Sequence, residues 1–215
     1  MINKEILIKR LAIIKYLYQI GIEQSNQQEP IASFSILSFH DSIEMYLKLL
    51  CEIKDIKSDK FNFIEYWNAI PDLTLRESMK NLNARRVNIK HKGLLPSKSD
   101  IEISRVNTTD FFQQNTKQQF DIEWDKISLA SLIQFEKVKT LIEDSQKNIN
   151  ENIYEKSIEL SALAFNELLH SYEISKKGSI YSSPFFFGKN MTFNNAFFMG
   201  IKDKQMADFV DKVQE

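Results

Sequence analysis

Within the 215 residues, one short stretch has residue types and spacing that suit chemistry on a phosphate. It reads Asn81-Leu82-Asn83-Ala84-Arg85-Arg86-Val87-Asn88-Ile89-Lys90-His91-Lys92-Gly93. Between Glu77 and Asp100 there is no acid, while Lys80, Arg85, Arg86, Lys90, Lys92 and Lys98 all fall there. The chain as a whole is balanced, with 28 Lys+Arg against 29 Asp+Glu, so this is a local cationic patch in a neutral protein. Arginine forks onto phosphate oxygens, whereas lysine offers a mobile point charge. Two of the five arginines are adjacent here, and one of three histidines follows closely. Histidine titrates near neutrality and can take or give a proton at a ribose hydroxyl or a leaving oxygen. Arg85, Arg86, Asn88 and His91 are the residues here that could act on a phosphate, and Lys80, Lys90 and Lys92 the cations that could hold one.

The helix that must carry them is read from Leu75, Met79, Leu82 and Ile89, which fall on one stripe at helical spacing. Arg86 lies in the centre of that apolar stripe, where a guanidinium must snorkel, find a partner or face a cleft between subunits. Arg85, Asn88 and His91 follow at three-residue steps as one drifting polar row. Helix geometry alone leaves both arginines open as the partner of His91. Gly93 and Pro96 end the helix in the expected order, and Asp72 or Thr74 is placed to cap its start.

The other elements follow from periodicity. Helices are predicted over 4–22, 31–53, 73–91, 125–147 and 151–175, with a short aromatic helix at 61–70 ended by Pro71. The second is apolar on most faces, which places it mid-bundle, and Ser33, Ser35, Ser38 and Ser42 allow close helix approach. Residues 94–120 read as a loop plus a short helix. Five glycines and four prolines are too few to punctuate an all-β chain. The expected fold is all-α: an up-and-down bundle over 1–147, then 148–215 as a long helix with an aromatic-rich extension. That extension holds Phe185, Phe186, Phe187, Phe193, Phe197 and Phe198, with Lys189 the only cation among these six. It reads as packing on the bundle or a partner.

This combination resembles the HEPN superfamily, helical bundles with an arginine, four to six residues, then a histidine late in a helix. Arg86 to His91 has four residues between and Arg85 to His91 has five. The segment Phe39-His40-Asp41-Ser42-Ile43-Glu44 is similar to the buried second helix of such bundles. Val87 follows Arg86 where the family often has a polar residue, which keeps Arg85 open as the acting arginine. The resemblance implies metal-independent RNA cleavage at a site shared by two subunits, with no cofactor, and the role of a toxin or anti-phage defence effector. The alternatives are a catalytically silent HEPN-like module binding RNA, nucleotide or protein, and a helical adaptor docking through its Phe-rich end.

Other residues read as structure. His40 beside Asp41 and Glu44 hints at metal ligands, but a hydrogen-bonded core histidine fits its apolar helix better. His170 and the single cysteine, Cys51, read as packing. No phosphate loop, nucleophile elbow or dinucleotide fingerprint occurs. One cysteine makes no intrachain disulfide, and the opening residues show no signal peptide or membrane span. A cytoplasmic protein is expected, with RNA and a homodimer or hetero-complex as partners.

Overall fold

The computed structural model describes residues 3–176 and 204–206. It is all-helical, with no strand among the described residues. The helices are α1 (Lys4–Ser25), α2 (Ile31–Ile53), α3 (Tyr66–Ala69), α4 (Arg76–Lys92), α5 (Lys98–Phe120), α6 (Glu136–Asn150) and α7 (Tyr154–Lys176). Two short 3₁₀ turns, Trp124–Lys126 and Leu129–Leu132, lie between α5 and α6. The Phe-rich stretch at 185–198 and the closing residues Phe209, Val210 and Val213 lie outside the described residues. No described helix is long and apolar enough to cross a membrane.

The chain divides into two compact units, Met1–Ile133 and Gln134–Glu215. The division falls ahead of α6 instead of near residue 147, because α6 and α7 pack together as a hairpin.

In the first unit α2 is central, packed by α1, α4 and α5. Ile36, Phe39, Ile43, Tyr46, Leu47, Leu49 and Cys51 are fully buried, as an all-round apolar helix requires. Ser33, Ser35 and Ser42 are buried too, and the Ser35 and Ser42 hydroxyls donate to the carbonyls of Ala32 and Phe39. At Gly21 of α1 an added Cβ would lie 2.6 Å from the Phe39 ring of α2. Gly21→Ala is therefore expected to destabilise the fold by ~1–3 kcal/mol through overpacking. That loss outweighs the roughly 1 kcal/mol that alanine gains in helix propensity. Urea unfolding of the variant checks it.

Three expectations change. Residues 98–120 form one helix, α5, instead of a loop with a short helix. It starts with a capping box in which Ser97 Oγ accepts from the Asp100 amide and the Asp100 carboxylate accepts from the Ser97 amide. The helix expected over 125–147 begins only at Glu136, since 124–132 are drawn onto α1 as 3₁₀ turns. The aromatic helix at 61–70 shrinks to Tyr66–Ala69.

Candidate functional site

Helix α4 holds every candidate side chain. It starts at Leu75, which adopts a left-handed conformation (φ 59°), and no side chain caps it. Thr74 has another task. Its amide donates to Asn115 Oδ1 (3.1 Å), its Oγ1 accepts from Asn115 Nδ2 (3.0 Å), and its carbonyl accepts from Trp67 Nε1 (2.8 Å). The helix ends at Gly93, left-handed at φ 63°, with the Leu94 amide donating to the Asn88 carbonyl at 3.2 Å. Lys90, His91 and Lys92 occupy the last turn, where cations complement the helix dipole.

The two arginines part company. Arg85 donates through Nε (3.0 Å) and Nη2 (2.8 Å) to Asp100 Oδ1, and through Nη1 to Ser104 Oγ (3.3 Å). The Ser97 hydroxyl first, and Arg85 second, hold the Asp100 carboxyl below the usual carboxylate range. Arg85 thus bolts α4 to the first turn of α5.

Arg86 turns to α2 instead. Its Nε is buried without a hydrogen-bond partner. Arg10, Arg76, Arg85 and Arg105 each donate to a side-chain oxygen, of Glu52, Asn68, Asp100 and Glu102 respectively. Arg86 is the one arginine of five that makes no hydrogen bond with the described residues. Its charge is felt by His40 and Glu44 on α2.

His40 is buried and stacks on Phe63, with ring centroids 4.2 Å apart. Its Nε2 lies 3.1 Å from Asn83 Oδ1 and its Nδ1 3.3 Å from Asp41 Oδ1. A neutral ring satisfies both contacts when Nδ1–H donates to Asp41 and the Asn83 amide turns its nitrogen to Nε2. Burial pushes the His40 pKa below its ordinary 6.5 and Arg86 adds to that, against the pull of Asp41 and Glu44. The unfolded chain therefore binds this proton first. Stability is expected to fall as pH drops below about 6.5 toward the depressed folded value. His40→Gln should flatten that slope, measured by urea unfolding at pH 5 and pH 7.

The ligand atoms of His40, Asp41 and Glu44 lie within 4.8 Å of one another. Both ring nitrogens are engaged and the Arg86 charge opposes a cation, so the group works as a hydrogen-bonded core histidine with two acids. Glu44 is ion-paired to Lys48 (2.6 Å), and both line a cleft of about 580 Å³ with Glu52, Lys57, Asp59 and Tyr66. Its interleaved charges select no one ligand class.

His91 is exposed and forms no hydrogen bond or ion pair with the described residues. Five helical steps lead from Arg86 to His91, which is a turn of about 140° and a rise of about 7.5 Å. Within one chain the two side chains leave α4 on different faces. Asn88 is half-buried, Lys90 and Lys92 are exposed, and Lys80 lies 3.6 Å from Glu77 in an exposed pair. Asn83, His40 and Glu44 are the neighbours that the sequence reading left out of the Arg86 setting. No protein-family model, curated protein or solved structure matches the chain.

Proposed function

We propose that the chain is a HEPN-like, metal-independent endoribonuclease that acts as a homodimer, with Arg86 and His91 as its working pair. One observation carries this reading. Arg85 is committed to Asp100, whereas Arg86 keeps its guanidinium free of any hydrogen bond to the described residues. An arginine with no hydrogen-bond partner among the described residues and an uncommitted histidine on the same helix each suit a phosphate ligand. The divergence of Arg86 and His91 around α4 supports a site completed by a second copy, since a two-fold axis supplies each residue twice.

In this reaction one His91 takes the proton from a ribose 2′-hydroxyl, and the freed oxygen attacks the adjacent phosphorus. The phosphorus–O5′ bond breaks, and a second His91 returns a proton to O5′. Arg86 stabilises the extra negative charge on the phosphorane. The products are a 2′,3′-cyclic phosphate and a 5′-hydroxyl. DNA lacks the attacking hydroxyl and is left intact. Lys80, Lys90 and Lys92 hold the RNA backbone, and Asn88 orients the histidine. Arg85 becomes a structural brace. A role as toxin or anti-phage effector in the cytoplasm goes with the family resemblance.

The test is cleavage of RNA by the purified chain in EDTA, wild type against His91→Ala. Salt-sensitive RNA binding without cleavage would assign the silent binding module instead.

A further inference from the structure

The acids around Arg86 are committed to other partners. Glu77, the one carboxylate on α4, pairs with Lys80, and Asp100 on α5 is held by Arg85. On α2, Asp41 lies 3.3 Å from His40 Nδ1 and Glu44 holds Lys48 at 2.6 Å. Asn83 and Arg86 stand one turn apart on α4, as His40 and Glu44 do on α2, and the Asn83–His40 contact (3.1 Å) joins the two faces. Glu44 is half-buried and Lys48 is exposed. Burial raises the Glu44 pKa, and Lys48 and Arg86 are among the charges that bring it below its ordinary value. Two cations therefore act on one carboxylate, and of the two it is Lys48 that pairs with it.

We propose that Lys48 is a positioning residue for Arg86: by holding Glu44 along α2, it keeps that carboxylate from closing on the guanidinium and so leaves Arg86 open to a phosphate. The inference rests on the reading of Arg86 as the arginine that meets the scissile phosphate. The adjacent arginine shows the closed alternative. Arg85 has taken Asp100 through both Nε and Nη2, so its fork is filled. A guanidinium grips a carboxylate with a planar fork, where an ammonium offers a point charge. Glu44 released from Lys48 therefore goes to Arg86. Lys48 touches no substrate in this scheme and acts through Glu44 alone. An exposed ion pair one turn apart on a helix adds little to stability, so loss of Lys48 changes the site far more than the fold.

The test compares wild type, Lys48→Met, and Lys48→Met combined with Glu44→Gln, all as the full chain. The first readout needs no RNA. It is the water exchange of the Arg86 guanidinium protons by NMR, the signal being assigned by its loss in Arg86→Lys. Exchange should slow by about 10–100-fold in Lys48→Met, as a charge-assisted hydrogen bond forms, and return to the wild-type rate when Glu44→Gln removes the acceptor's charge. RNA cleavage in EDTA should fall over the same range in Lys48→Met and recover in the double variant, a rescue that a merely structural lysine would not show. Lys48→Gln should repeat both results, and urea unfolding should place every variant near wild type. Unchanged Arg86 exchange in Lys48→Met, slowing that persists with Glu44→Gln, or cleavage by Lys48→Met at the wild-type rate would each overturn the proposal. A wild type that leaves RNA intact while Arg86 exchange responds as expected would sink the ribonuclease reading and leave the Lys48 assignment standing.

Discussion

RNA incubated with the purified chain in EDTA is expected to be cut, and His91→Ala is expected to slow that cut by about 10²–10⁴-fold. The size follows from the step assigned to the imidazole. Removing a positioned acid or base leaves the charge stabilisation and the binding in place, so a remnant of activity persists. The pH–rate profile should be bell-shaped if two copies of His91 act as base and acid, and it should lose that shape in the variant. End-group analysis should find 2′,3′-cyclic phosphate.

The two arginines give the sharper contrast, since they are adjacent in sequence and separated in structure. Arg86→Ala should lower cleavage by about 10²–10³-fold with little change in RNA affinity, the signature of a group felt mainly in the transition state. Arg85→Ala should act mainly through stability. It removes the two hydrogen bonds to Asp100 and leaves that carboxylate to Ser97 and water. Equal cleavage by wild type and His91→Ala would end the enzymatic reading.

The Arg85–Asp100 pair also shows what the sequence could reveal and what it could not. The acid-free run between Glu77 and Asp100 is visible in the sequence. That its closing acid returns to neutralise Arg85 depends on the turn at Gly93–Pro96, which lays the start of α5 against α4. Arg86 on the apolar stripe was legible from spacing, and so was its need for a partner, a cleft or a second subunit. Its neighbours His40, Glu44 and Asn83 were not. His40 and Glu44 come from α2, about forty residues earlier, and helical period fixes a face but not which residues of another helix meet it.

Helix α5 was missed for a related reason. Its inward positions are Ile101, Ser104, Thr108, Phe111, Phe112, Asn115 and Thr116, all buried and at helical spacing. More than half of them are polar, so a reading of apolar period finds no stripe. The Ser104 hydroxyl donates to the Asp100 carbonyl, and Asn115 serves Thr74 and the Phe111 carbonyl. The signal that could have found the helix was its start, Ser97-Lys98-Ser99-Asp100, which is a capping-box pattern.

The segment after α5 was misread for the opposite reason, and it leads to the second large expected effect. Apolar residues at 127–133 suggest the start of a helix, yet the backbone there is held open by a side chain from α1. Lys15 Nζ donates to the carbonyls of Trp124 (2.9 Å), Asp125 (3.0 Å) and Ile127 (2.8 Å). Three carbonyls converging on one ammonium fix a turn that an α-helix would have to unmake. Trp124 is in turn stacked on Phe112 at 4.2 Å with the rings 6° from parallel, and the ammonium lies 5.8 Å from the Trp124 ring. Lys15→Met keeps the length and apolar stem of the side chain but removes all three donors. Hydrogen bonds from a charged group contribute about 1.5–3 kcal/mol each, less where water can replace the donor, as at the exposed Asp125 carbonyl. The Trp124 and Ile127 carbonyls are part-buried and would be left unsatisfied, so a loss of about 2–4 kcal/mol is expected. The damage should be local first, because 124–132 is tied to α1 by this clamp and lies at the edge of the unit. Trp124 emission should shift toward that of a solvated indole, and hydrogen exchange at 124–132 should rise ahead of α2. A Lys15→Met variant with wild-type stability and an unshifted Trp124 would mean that packing alone holds the turn.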